Sequence, residues 1–215
     1  MTSPYLTLAA SGRDEIMIQK SRFIGYASPC ASEEEALAFL REIREEHRNA
    51  THHCYAYLIG ENAGITRYSD NGEPAGTAGL PILDVLKSRN LVYCCCVVVR
   101  YFGGTLLGTG GLVRAYTQSA QNAVLKAGPA LMEWTQDLLC EVPYGAWDKV
   151  RYAAEKLPVR IQDIGYGAAV SFHLLVREHD LESCLADLSD ASGRTLETIP
   201  ASESFMPWEI AGEPD

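Results

Sequence analysis

The sequence predicts an α+β protein of two domains, and three observations carry that expectation. Amphipathic helical stretches are interleaved with alternating or wholly apolar stretches of strand length. Composition shifts near residues 128–136, "GPALMEWTQ". After that shift the elements run βαββαβ, the split-βαβ or ferredoxin-like arrangement. The bounds expected are 1–132 for an N-terminal domain, 133–200 for a ferredoxin-like C-terminal domain, and 201–215 for an acidic tail read as a solvated extension.

The elements follow in order. Residues 5–10 and 14–28 alternate well enough for strands. "ASEEEALAFLREIREEHRNA" is a helix: Ser32 and Glu35 form a capping box, Glu33 to Glu35 suit the positive end of the dipole, and Arg44, His47 and Arg48 suit the other. Its stripe is Ala36, Leu37, Leu40 and Ile43. "HHCYAYLIG" and "ITRYS" form a hairpin around "ENAG". "LPILDVLKSRN" is a short helix with Pro81 near its start. "LVYCCCVVVRYF" is continuous enough for a strand buried on both faces. "GGTLLGTGG" opens a helix whose buried stripe is Leu112, Tyr116, Ala120, Ala123 and Ala127, closed by Gly128 and Pro129. In the second half the strands are "DLLCEV", "VRIQDIGY", "AAVSFHLLV" and "RTLETI", and the helices are "YGAWDKVRYAAEKL" and "DLESCLADLSDAS".

Bulk properties exclude several functions. Of 215 residues, 47% are hydrophobic and 21% charged, as in ordinary globular proteins. The net charge of −10 argues against bulk attraction to nucleic acid, leaving only a local basic groove. No apolar run approaches the ~20 residues needed to span a membrane. The start shows no basic end followed by an apolar core, so the expected location is cytoplasmic. The seven cysteines lack metal-site spacing and read as free thiols of a reducing compartment, with Cys54 the one with a redox or metal alternative. His173 lies mid-strand and reads as structural or surface-exposed.

Chemistry concentrates in three stretches: "THHCYAY", "RYSDNGEPAGTAGLP" and "VVVRYFGGTLLGTGGLVRAY". The third runs from strand through glycines into a helix, with Arg100 and Arg114 at its ends. That pattern suits an anion, or equally close strand–helix packing. It is not a P-loop, having neither the spacing nor the lysine. In the second stretch, turn chemistry explains Asp70, Asn71 and Gly72 but not Glu73. Glu73 either pairs with Arg67 or Arg100, or joins Asp70 on a ligand or divalent cation. His52 and His53 are adjacent on a strand, so at most one points into a given cleft. No nucleophile elbow or H-E-x-x-H is present.

"HHCYAY", "RYSDNGEPAGTAGLPIL" and "VVVRYFGGTLLGTGGLVRAYTQSA", in that order, resemble the Impact/YigZ family over about residues 15–128. The resemblance implies an N-terminal βα domain of the ribosomal protein S5 domain 2-like type, as in elongation factor G domain IV and the GHMP kinases. It also implies a ferredoxin-like second domain. Eukaryotic relatives regulate translation by protein–protein contact; bacterial members have no settled activity, and nucleic-acid binding is a suggestion from fold. The family signature falls here on His52, His53, Tyr55, Ser69, Asp70, Gly72, Glu73, Pro74, Gly76, Thr77, Gly79, Arg100, Gly103, Gly104, Leu107, Gly108, Gly110, Gly111 and Arg114. Asn71 stands where many members carry an acid, which weakens the case for a metal-binding carboxylate cluster.

The functional expectation is a non-enzymatic, translation-related regulator whose partner is RNA, the ribosome or a translation factor, with no cofactor, no metal and no membrane. The alternative is an enzyme or binding protein for a small phosphorylated ligand. The candidate cleft residues are His52, His53, Ser69, Asp70, Glu73, Thr77, Arg100, Gly103, Gly104, Gly108, Gly110 and Arg114.

Overall fold

A computed structural model describes residues 3–208. The elements are β1 (Tyr5–Leu8), β2 (Gly12–Ile18), β3 (Ser21–Pro29), α1 (Glu33–Glu46), β4 (His52–Ile59), β5 (Ile65–Ser69), α2 (Gly79–Ser88), β6 (Cys94–Tyr101), α3 (Gly108–Ala127), β7 (Pro129–Val142), α4 (Tyr144–Ala154), β8 (Val159–Tyr166), β9 (Val170–Arg177), α5 (Leu181–Ser192) and β10 (Thr198–Trp208). The described chain falls into two units, Tyr5–Leu131 and Met132–Trp208, with residues 3–4 grouped with the second.

The N-terminal unit is a three-layer sandwich. Its sheet has the order β2-β3-β6-β4-β5, with all four neighbouring pairs antiparallel. One face packs on α1 through Ile24, Tyr57, Cys95, Val97 and Val99 with Ala36, Leu40 and Ile43. The other packs on α2 and α3 through Phe23, Cys54, Cys96 and Val98 with Ile82, Leu86, Tyr116 and Ala120. Covering both faces explains why β6 has no polar alternation: Cys94 to Val99 are all fully buried. Burial pushes the Cys30 thiol to about 11 and the Cys96 thiol to about 12, so both stay protonated.

The capping box on α1 forms, with Ser32 Oγ accepting from Glu35 N–H (3.2 Å) and Glu35 reaching back to Ala31 N–H (2.7 Å). Leu37, placed in the buried stripe from sequence, is instead 38% exposed. Residues 14–28 are not one strand. They turn back at Gln19 and Lys20, with φ of 45° and 68°, and pair β2 to β3. Neither residue is a turn former, which hid the hairpin.

The second sheet has the order β1-β7-β9-β8, with β10 also pairing β7; its four strands from β7 onward stand in the 4-1-3-2 order of a split βαβ. Leu138, Cys140, Phe172 and Leu174 face α4 and α5, meeting Trp147, Val150, Cys184 and Leu188. Two expectations need correction. The strand read as "DLLCEV" begins earlier, at Pro129, so the boundary between the units falls within β7. The last strand is not "RTLETI", and residues 201–208 are not solvated tail: β10 runs to Trp208. Trp208 Nε1–H donates to Thr135 Oγ1 (2.9 Å), and Phe205 meets Trp134 edge-on at 5.1 Å. An edge strand with mostly solvated side chains carries little hydrophobic alternation, so its pattern reads as tail. Residues 209–215 lie outside the described residues. No described helix is long and apolar enough to cross a membrane.

His47 closes α1 onto the sheet. Its ring nitrogens meet Tyr26 Oη (2.6 Å) and Tyr101 Oη (2.9 Å), one accepting and one donating when the ring is neutral. Burial holds its pKa below the ordinary 6.5, outweighing the pull of Glu46. Burial lowers His53 as well. A depressed folded pKa stabilises the fold above the unfolded value, and that stability is lost as pH falls through 6.5 toward the folded value. Urea unfolding at pH 7.5 and pH 5 is therefore expected to show weaker stability at pH 5, with a smaller difference in His47→Gln; an identical pH dependence in the variant would refute the assignment.

Candidate functional site: a buried ion pair beneath a glycine-rich loop

The hairpin β4–β5 delivers residues 70–78 to the start of α2, and β6 runs beneath them. Asp70 builds the turn. Its Oδ2 accepts from Gly76 N–H (2.8 Å) and its Oδ1 from Ala78 N–H (3.0 Å) and Gly79 N–H (2.8 Å), the unpaired first donors of α2. Its carbonyl accepts from Glu73 N–H (3.0 Å). Ser69 Oγ accepts from Asn71 N–H (3.1 Å), and Thr77 Oγ1–H donates to the Pro74 carbonyl (2.7 Å). Asn71 takes φ 43° and Gly72 φ 87°, as the turn chemistry predicted. Gly79 is required by close approach: a Cβ there would lie 2.7 Å from the Ser69 carbonyl carbon. Asp70 thus acts as a remote N-cap, not as half of a carboxylate pair.

Glu73 is the residue the turn did not need, and it points inward. Its side chain is 4% exposed, and that of its partner Arg100 is 5% exposed. Arg100 Nη1–H donates to Glu73 Oε1 (2.6 Å), and Tyr116 Oη–H donates to the same oxygen (2.8 Å). Arg100 Nη2–H donates to Ser21 Oγ (3.2 Å), which also accepts from Gly103 N–H (3.2 Å). The guanidinium stacks against Phe23 and Phe102, 5.3 and 5.4 Å from their centroids. Its Nε has no hydrogen-bond partner among the described residues. His52 Nδ1–H donates to the Asn71 carbonyl (2.8 Å), leaving Nε2 3.8 Å from Glu73 Oε1. Cys54 Sγ donates to the Asp70 carbonyl (2.9 Å), and burial pushes its thiol up to about 12, which removes the reactive thiolate. Burial also drives the Tyr116 phenol far above its ordinary 10 and keeps it a donor.

Of the sequence candidates, the structure therefore gathers His52, Glu73 and Arg100 and ties Gly103 to them through Ser21. It separates Asp70, Ser69 and Thr77 into the turn. His53 faces the other way, Nε2 meeting the His47 carbonyl (3.1 Å). Gly104, Gly108, Gly110 and Arg114 lie on the exposed loop and the start of α3, and no hydrogen bond or ion pair joins them to Glu73 among the described residues. Arg114 lies in the second turn of α3. Sequence reasoning assigned Tyr116 to the core stripe and passed over Ser21; the one hydroxyl in an alanine-rich stripe was the available signal. His173 pairs with Asp137 (2.7 Å) within the C-terminal unit. No three His, Cys, Asp or Glu side chains gather into a metal site among the described residues.

A three-layer βα domain with this internal ion pair, followed by a split-βαβ unit, defines a two-domain α+β protein. Residues 19–124 match the Impact N-terminal domain, and residues 140–194 match a domain of unknown function, DUF1949. The IMPACT family member YvyE of Bacillus subtilis is 40% identical over 180 residues, covering 84% of this chain and 83% of that protein. The IMPACT family member YigZ of Escherichia coli is 35% identical over 192 residues, covering 86% and 92%. A solved structure of a hypothetical protein is 31% identical, covers 94% of this chain and 99% of its own, and superposes with a TM-score of 0.60. The chain belongs to the IMPACT family.

Removing one partner from a buried ion pair strands the other, which costs about 3–5 kcal/mol. Glu73→Ala is expected to lose that much in urea unfolding, and Tyr116→Phe about 1 kcal/mol, the size of one hydrogen bond. A loss below 1 kcal/mol for Glu73→Ala would show that Arg100 finds other support.

Proposed function

We propose that the protein is a non-enzymatic, translation-related regulator that docks on a component of the translation machinery through its exposed glycine-rich loop. The observation that carries this reading is the fate of the signature carboxylates. Asp70 is filled by three backbone donors, and Glu73 is held by Arg100 and Tyr116, so both are spent on holding the domain together. What they hold is a loop whose outer residues face solvent: Leu106 is 85% exposed and Phe102 is 45% exposed. Exposed apolar residues on a braced loop fit contact with a partner. Membership of the IMPACT family supports the link to translation, since the resemblance places eukaryotic members in translational control.

Charge favours a protein partner over bare RNA. Residues 5–131 carry 12 acidic and 12 basic side chains, while residues 132–208 carry 13 acidic and 6 basic. Neither unit has the basic excess that phosphate-backbone binding uses. A second reading, a small phosphorylated ligand at the start of α3, has one observation in its favour: α3 has no side-chain N-cap, and Arg114 is exposed above it. It predicts a thermal shift with phosphorylated ligands that Arg114→Ala abolishes.

Gradient co-sedimentation of the purified chain with ribosomes and translation factors tests the main reading. Association is expected to be lost in Leu106→Asp at unchanged stability, and to persist in the folded fraction of Glu73→Gln. Association untouched by Leu106→Asp, or none at low or moderate salt, would sink it.

A further inference from the structure

The C-terminal unit contains a cavity of about 720 Å³, in the range of small-ligand and peptide pockets. It opens where the end of β7, the start of α4, the β8–β9 turn and the approach to β10 converge. Three of its lining residues are apolar and exposed: Ile199 at 65%, Tyr144 at 53% and Leu139 at 37%. Scattered single exposures are ordinary; three around one concavity form a patch. Tyr144 is held in place, its Oη–H donating to the Gly167 carbonyl (3.0 Å).

Charge then distinguishes among occupants. Glu141 and Glu197 line the cavity, both exposed, with no ion pair among the described residues. Arg194 is the one cationic side chain in the lining, and it too has no ion pair there. Around them the unit carries 13 acidic side chains against 6 basic ones. Such a field repels nucleic acid and acidic peptides and draws in cations. We propose that this cavity is a docking site for a basic peptide segment of a partner protein, with an aliphatic or aromatic side chain seated on Leu139, Tyr144 and Ile199 and flanking lysines or arginines facing Glu141 and Glu197. The inference rests on the reading of the protein as a docking regulator, and gives it a second contact surface of stated chemistry.

The test uses the purified chain and no cell component, so its failure leaves the loop-dependent association untouched. Fluorescence anisotropy is read with a labelled, capped peptide of alternating leucine and lysine, against a peptide of alternating leucine and glutamate. Saturable binding of the basic peptide is expected, weakening with added salt. Glu141→Gln with Glu197→Gln, two exposed substitutions, is expected to weaken it by about tenfold or more, and Ile199→Ala by several-fold. Arg194→Gln is expected to tighten it. Equal binding of both peptides, or indifference to all three changes, would overturn the proposal. So would a concentration-dependent dimer that shields Ile199, which would assign the face to a second copy.

Discussion

The buried pair of Glu73 and Arg100 is the constraint around which the N-terminal unit is arranged. Arg100 stands near the end of the central strand, where both sheet faces are covered and water cannot solvate a charge. Only an opposite charge delivered from another element can satisfy it, and Glu73 arrives on the turn after β5. The turn must therefore hold its backbone to within a hydrogen-bond length, which is the work of Asp70. Tyr116 extends the same network into α3, and Ser21 extends it to the glycine-rich loop. One ion pair thus couples β3, β6, the turn between β5 and α2, and the long helix. Buried pairs add little net stability over an apolar equivalent, but they forbid alternatives, because every misregister leaves a charge stranded.

Seen this way, the three signature stretches are parts of one network with one exposed product. The histidine stretch sets His52 beside Glu73, the turn stretch supplies Glu73, and the glycine stretch supplies Arg100 and the loop. The first glycine of the loop has a steric cause. A Cβ on Gly103 would collide with the backbone of Lys20 and Ser21. Those on Gly104, Gly108 and Gly110 have no crowding backbone neighbour, and their side of the molecule faces solvent.

Much of this was legible in the sequence where local chemistry decides the outcome. The Ser32–Glu35 box, the positive φ at Asn71 and Gly72, and the alanine stripe of α3 follow from propensity and period alone. The oddness of Glu73 was legible too, because a turn has no use for it. Its partner was not: Arg67 is six residues away and Arg100 twenty-seven, and only the sheet order decides between them. The role of Asp70 depended on where α2 begins, a boundary the pattern blurs. The hairpin at Gln19 and Lys20 and the strand β10 were missed for one reason. Each is stabilised by pairing with a distant strand, while its own residues give weak local signals.

The position of β6 also bears on how the chain comes to be made. It lies between β3 and β4 and pairs with both, yet it is synthesised after both. Until residues 94–101 emerge, β3 and β4 have no common partner and their apolar inner edges stand open. Until α3 follows, one sheet face is bare. On the ribosome the first ninety or so residues are thus a chain that cannot yet complete its sheet. Long-range pairing of this kind folds slowly and leaves edges open to wrong partners. The order of strands places completion of the N-terminal sheet late, when the central strand joins β3 to β4 and the long helix covers the face that includes Phe23 and Val98.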